Sequence, residues 1–133
     1  MTALYVDASA LVKLLIAEPE TPAVIELLAE ATLFTNEIAA VELACAARRR
    51  SLVGSGPRID AILDVTEVLP LKPEDLASAA ATATSPPLRA LDAIHLACAR
   101  RTRRGLAGHL SMVCYGRDLA AASAAEGFEV LAP

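Results

Sequence analysis

What most constrains this chain is how abruptly its short apolar runs end. Residues 3–6 (ALYV) stop at Asp7, and four more runs follow at 33–35 (LFT), 68–71 (VLPL), 111–115 (SMVCY) and 128–132 (FEVLA). Between them lie segments with helical character: ASALVKLLIAE, PAVIELLAEA, EIAAVELACAARRR, RIDAILDVTE, an Ala-rich stretch from Pro73 to about Thr84, LDAIHLACARR and DLAAASAAEG. Strands that are apolar throughout have no polar face to offer water, so helices must cover the sheet on both sides. The expectation is an α/β fold: a three-layer α/β/α sandwich around a parallel sheet of four to five strands, with residues 1–133 forming one domain. Boundary signals agree. Thr21-Pro22 is a cap and first-turn pair, Asn36 can cap the helix that follows it, and Gly127 suits the end of the last helix.

Composition removes several classes of function. Hydrophobic residues make up 55% of the chain, enough to build a core and too many for disorder. Aromatic residues are only 3%, with no Trp, so there is no stacking platform for unpaired bases. Twelve basic against sixteen acidic residues give a net charge of −4, which excludes a global polyanion-binding surface and leaves only local patches. Cys45, Cys98 and Cys114 are an odd count without a CxxC pair, so neither a disulfide framework nor a Cys-rich zinc site is expected. The start MTALYVDAS carries an acid at position 7, unlike a signal peptide. The longest uncharged stretch, Leu76 to Leu88, is too short to span a bilayer, so a cytoplasmic chain without membrane contact is expected.

Three acids stand where such a sheet places its ligands, outside the carboxyl ends of the strands where strand order reverses. Asp7 sits at a strand–helix corner, where it is either an N-cap, a role Ser9 could share, or a group facing the site. Glu42 is four residues after Ile38 and three before Cys45, on the apolar stripe of its helix. A carboxylate there is costly to bury unless it is paired or binds a metal. Asp92 opens the helix LDAIHLACARR, with Leu96 and Ala99 on its face. Oxygen ligands without a Cys/His set select Mg²⁺ or Mn²⁺ over zinc. A site of that kind activates water against a phosphodiester and steadies charge on the phosphoryl oxygens.

YVDASALVKLL, VELACAARRR, LRALDAIHLACA and MVCYGRDLAAASAAEGFEVLAP, in this order and spacing, resemble a PIN-domain ribonuclease, most closely the VapC toxins of bacterial toxin–antitoxin pairs. The resemblance covers essentially the whole chain and rests chiefly on DASALVKL and LDAIHLA. It implies an Mg²⁺- or Mn²⁺-dependent endoribonuclease that forms a homodimer and is neutralised by a small cognate antitoxin. Asp7, Glu42 and Asp92 correspond to the family's first three acids. The family usually carries a fourth acid directly after the aromatic residue of the fourth strand; here Gly116 follows Tyr115. Asp118, two residues on, is either a fourth catalytic acid or the N-cap of the last helix. That departure supports a second reading, a weakened PIN domain acting mainly as a binding or regulatory partner of its antitoxin.

Ser9, Arg89 and Arg117 flank the acids and are the candidates for contacting substrate. Arg48 to Arg50 and Arg100, Arg101, Arg103 and Arg104 lie near helix ends, as a solvated face or as contacts for distant phosphates or antitoxin acids. His95 reads as a structural histidine near its helix start rather than a ligand or general base, and Asp92, His95 and Cys98 in steps of three do not converge on one tetrahedral ion. GSG at 54–56 follows no strand and is no dinucleotide fingerprint. A receiver-type phosphoacceptor needs an acid pair after the first strand, and Ala8 follows Asp7.

Overall fold

A computed structural model of the chain describes residues 2–133. Five strands, β1 (Thr2–Val6), β2 (Ala31–Asn36), β3 (Glu67–Leu69), β4 (Leu110–Val113) and β5 (Val130–Leu131), form one sheet. Seven helices are interleaved with them: α1 (Ala8–Leu15), α2 (Thr21–Leu28), α3 (Ile38–Arg49), α4 (Gly56–Asp64), α5 (Pro73–Ala81), α6 (Ala90–Gly105) and α7 (Arg117–Ala125). Every strand pair is parallel, and the order is β3-β2-β1-β4-β5. The chain therefore builds outward from β1 to β3, then returns to the other side of β1 for β4 and β5. Strand order reverses between β1 and β4, and Asp7 stands at the carboxyl end of β1 beside that reversal, where such sheets place their ligands.

The alternation of β1 divides the core. Leu4 and Val6 face a layer containing Leu11 and Leu15 of α1, Leu43 of α3 and Ile59 and Ile62 of α4. Tyr5, between them, faces the other layer, with Leu96 and Cys98 of α6, Leu119 of α7, Met112 and Phe128. The expected α/β/α sandwich is thus present, with a parallel sheet of five strands.

Helix ends depart from the sequence reading where tertiary bonds fix them. Helix α1 stops at Leu15, short of Glu18, because the Thr21 hydroxyl donates to the Lys13 carbonyl at 2.7 Å and Lys13 Nζ reaches back to Glu18 at 2.7 Å. Glu67 leaves α4 and pairs with Phe34 in the sheet. Helix α6 runs on to Gly105, helped by Arg101, whose Nε and Nη2 donate to the two oxygens of buried Asp75 at 2.7 and 2.9 Å. Gly127 closes α7 at φ +86°, with Phe128 N–H donating to Ser123 O and Gly127 N–H to Ala124 O, the left-handed ending that glycine favours. Among the described residues no helix is long and apolar enough to cross a membrane.

Candidate active site

Asp7 is the first residue past β1 and does two jobs. Its Oδ1 accepts from the Ala10 N–H at 3.2 Å, capping α1, and from the Ser9 hydroxyl at 2.6 Å. Ser9 Oγ in turn accepts the Tyr115 N–H at 3.0 Å, so this hydroxyl ties the β1 corner to the corner after β4, across the strand reversal. With its proton on Asp7 and one lone pair on Tyr115, Ser9 has a single lone pair left for a substrate. Asp7 is only 4% exposed, and burial is the main reason its carboxyl pKa is raised; repulsion from Asp92 pushes the same way against Ser9, His95 and Ala10.

Glu42 comes from the opposite side. Helix α3 packs Ala39, Leu43 and Ala47 into the Leu4/Val6 layer, yet the Glu42 carboxylate meets His95 of α6, with Oε1 2.6 Å from Nε2. This bond joins the two helical layers over the strand ends. The Asn36 side chain lies beneath it. Its Oδ1 accepts the Ile38 N–H at 2.8 Å, so Asn36 satisfies the first N–H of α3 from the position before the N-cap, which is Glu37. Its Nδ2 reaches Tyr5 Oη at 2.8 Å and His95 Nδ1 at 3.1 Å, and Tyr5 Oη lies 3.0 Å from the same Nδ1. Tyr5, Asn36 and His95 are all buried.

Asp92 stands in the first turn of α6, half-buried. Its pKa is raised chiefly by burial and further by Glu42 and Asp118, against the pull of His95 and Arg89. Asp92 thus feels the charges of Glu42 and Asp118, and Asp7 that of Asp92, beyond the carboxyl ends of the strands. Asp118 is exposed in the first turn of α7, whose N-cap is Gly116; the expected N-cap role for Asp118 is not what the fold gives it. Arg89, the N-cap of α6, and Arg117, the first residue of α7, are both exposed beside the acids.

The arginine clusters are largely occupied elsewhere. Arg101 holds Asp75, Arg103 lies 3.9 Å over the Phe128 ring and donates to the Glu126 carbonyl, and Arg100 bonds Thr82 and pairs with Glu126. Arg48, Arg49, Arg50 and Arg104 are exposed.

Among the described residues, no three His, Cys, Asp or Glu side chains are drawn together closely enough to hold an ion as they stand. One oxygen of Glu42 is bonded to His95 and one oxygen of Asp7 to Ser9 and its own helix start, which leaves the second oxygen of each. The donor chemistry nonetheless fits a hard divalent cation: carboxylates that repel one another, one of them buried. Thiolate ligands are absent from the set. Burial pushes the Cys98 thiol up to about 11 and the Cys114 thiol up to about 12.

A parallel sheet reversing beside a buried Asp, with further acids from both helical layers, is the arrangement of a PIN domain. Residues 4–110 match the model of that domain, and the chain belongs to the PIN domain family. Within it, the chain is similar to Ribonuclease VapC47 of Mycobacterium tuberculosis (strain CDC 1551 / Oshkosh), at 35% identity over 135 residues, covering 98% of this chain and 96% of that one. Ribonuclease VapC35 of the same strain is 36% identical with the same coverage. The fold is shared with the crystal structure of Mycobacterium tuberculosis VapC20, a sarcin–ricin loop cleaving toxin, at TM-score 0.76 and 18% identity over 98% of this chain and 100% of that one. A toxin–antitoxin complex from Klebsiella pneumoniae aligns at TM-score 0.70 and 20% identity, over 98% of this chain and 97% of that one.

Tyr5 joins this site although the sequence alone marks only a capping role for Asn36 and a structural role for His95. One signal was available: a tyrosine inside an apolar strand needs a partner for its hydroxyl once buried. His95, one turn after Asp92, points from the same helix face toward it.

Proposed function

We propose that the chain is a metal-dependent endoribonuclease, the toxin of a toxin–antitoxin pair, that hydrolyses RNA phosphodiester bonds. The observation that carries this reading is the placement of three acids from different elements around the strand reversal: Asp7 at the end of β1, Asp92 in the first turn of α6, and Glu42 of α3 bonded at 2.6 Å to His95 one turn beyond Asp92. Full-length similarity to proteins named as VapC ribonucleases supports the activity, and likeness to a toxin–antitoxin complex supports the pairing.

In this reading Asp7, Glu42 and Asp92 hold Mg²⁺ or Mn²⁺, which when bound supplies an activated water and charge stabilisation at the phosphoryl group. Ser9 fixes the Asp7 carboxylate and offers its remaining lone pair to RNA. Exposed Arg89 and Arg117 face the phosphates on either side of the scissile bond, where a guanidinium matches phosphate oxygens well. Asp118 completes the acid set from the first turn of α7. The active species is a cytoplasmic homodimer, silenced by a cognate antitoxin.

The test is RNA cleavage by the purified chain with Mg²⁺ or Mn²⁺ and with excess EDTA. Cleavage that needs the ion and stops with EDTA supports the reading. Equal cleavage in EDTA contradicts it, and none under any metal favours the second reading, a PIN domain that mainly binds its antitoxin.

Gly116 gives a sharper prediction. Its φ is −68° and a Cβ there would meet nothing within 4 Å, so Asp fits without backbone strain. Gly116→Asp adds a carboxylate beside Asp118 and a side-chain cap to α7. Cleavage at limiting Mn²⁺ is expected to rise on the order of tenfold, with stability gained by about a few tenths of a kcal/mol. Asp118→Asn is the companion: if it removes most activity and Gly116→Asp adds nothing, Asp118 is already the working fourth acid.

A further inference from the structure

We propose that Tyr5, Asn36 and His95 form a buried hydrogen-bond relay that sets the His95 tautomer and thereby positions the Glu42 carboxylate for the divalent cation. The inference rests on the cation-binding reading above and adds three positioning residues to it.

The direction of each bond follows from one fixed point. The Ile38 N–H can only donate, so the Asn36 atom 2.8 Å from it is the amide oxygen, and the NH₂ group faces the interior. That group donates to Tyr5 Oη at 2.8 Å and points its other hydrogen at His95 Nδ1, 3.1 Å away. Tyr5 Oη already accepts from Asn36, and its own proton has Nδ1 at 3.0 Å to go to. Both neighbours of Nδ1 are therefore donors, and a proton on Nδ1 would face the Asn36 NH₂ head-on. Nδ1 keeps its lone pair and Nε2 carries the hydrogen. That N–H points at Glu42 Oε1 at 2.6 Å.

The relay spans the molecule's layers. Asn36 ends β2, Tyr5 belongs to β1, His95 to α6 and Glu42 to α3. Tyr5 and Asn36 are fully buried and His95 nearly so, which shields these bonds from competition by water. Glu42 itself is partly exposed on a long, flexible side chain, and without this bond it would spread over several rotamers. Fixing one oxygen on His95 leaves Oε2 to face outward in one orientation. Groups that orient a metal-binding side chain in this way change metal affinity markedly when removed.

The test uses the full chain and Mn²⁺ alone, followed by electron paramagnetic resonance, with long-range ¹H–¹⁵N spectra of the imidazole and thermal melting alongside. The wild-type His95 is expected to show the Nε2–H tautomer without metal. His95→Met, which fills the space but donates nothing, is expected to weaken Mn²⁺ binding roughly tenfold or more. His95→Gln, whose amide can donate to Glu42, is expected to recover most of that loss. Should His95→Met fail to fold, Tyr5→Phe removes one donor to Nδ1 and is expected to shift the imidazole signals and weaken Mn²⁺ binding severalfold. An Nδ1–H tautomer, or a folded His95→Met or Tyr5→Phe chain that binds Mn²⁺ as tightly as wild type, overturns the relay. A wild-type chain that ignores Mn²⁺ overturns the cation site itself, and the tautomer then shows whether the relay bonds exist without it.

Discussion

Asp92→Asn is expected to lower Mn²⁺-supported RNA cleavage by at least about a hundredfold, with the melting temperature unchanged or raised. The first half follows from charge: removing one carboxylate from a three-acid site removes several kcal/mol of stabilisation, and each roughly 1.4 kcal/mol is a tenfold change in rate. The second half follows from the mutual repulsion of the acids. Asp92 is held in a half-buried place among Glu42 and Asp118, which disfavours its charged form, so a neutral amide relieves repulsion. Asp7 differs in one respect, because it also caps α1. Asp7→Asn keeps an oxygen for the Ala10 N–H and the Ser9 hydroxyl and should match Asp92→Asn in both respects. Asp7→Ala loses the cap as well, a cost of about 1 kcal/mol, partly offset by removing a buried charge. Cleavage assays paired with thermal melts separate these outcomes. A cleavage rate within a few-fold of wild type in Asp92→Asn would remove that residue from the site.

Arg101→Met is expected to destabilise the chain by about 3–5 kcal/mol, the cost of leaving a buried carboxylate without its partner. Asp75 is 2% exposed, and Arg101 grips both its oxygens and the Pro70 carbonyl, joining α5 to α6. For a chain of this size the loss corresponds to a fall in melting temperature of roughly 10–20 °C. The pH dependence has a definite sign. Burial alone would raise the Asp75 carboxyl, but Arg101 and the Lys72 N–H hold it below its ordinary value. The stabilisation is therefore complete above the ordinary carboxylate range and lost as pH falls through the lowered value. The gap between wild type and Arg101→Met should accordingly be widest near neutral pH and narrow on acidification. Adding Asp75→Leu should restore much of the loss, since a packed apolar pair replaces a buried ion pair at little cost. Thermal melts from pH 3 to pH 8 test both statements.

Residues with a local cause for their conformation were legible in the sequence. The apolar run ending at Asp7 placed β1, the Asn36 and Gly127 signals marked helix boundaries, and the stripe position of Glu42 marked an acid in need of a partner. Features set by distant partners were not. Helix α6 extends to Gly105 on the strength of bonds to α5 and to the end of α7, so its arginines looked like a free basic face. Asp118 read as either a fourth acid or a cap because Gly116 gives no side-chain signal of its own, yet the helix begins two residues earlier than an N-cap at Asp118 would allow. His95 is the buried structural histidine its position suggests, but what it bonds was hidden for the same reason. Its partners are 59 and 90 residues away in sequence at Asn36 and Tyr5, and no spacing along one helix reveals them.

The central claim is that Asp7, Glu42 and Asp92 form one site for a divalent cation, and ¹³C carboxyl spectra of the purified chain during an Mg²⁺ titration test it most directly. The three carboxyl signals should move together with a single dissociation constant, the raised pKa values of Asp7 and Asp92 should fall as the ion binds, and Asp92→Asn should abolish the movement of the other two. Mg²⁺ that leaves these three signals in place while shifting only exposed acids such as Glu74 and Glu129 would contradict it.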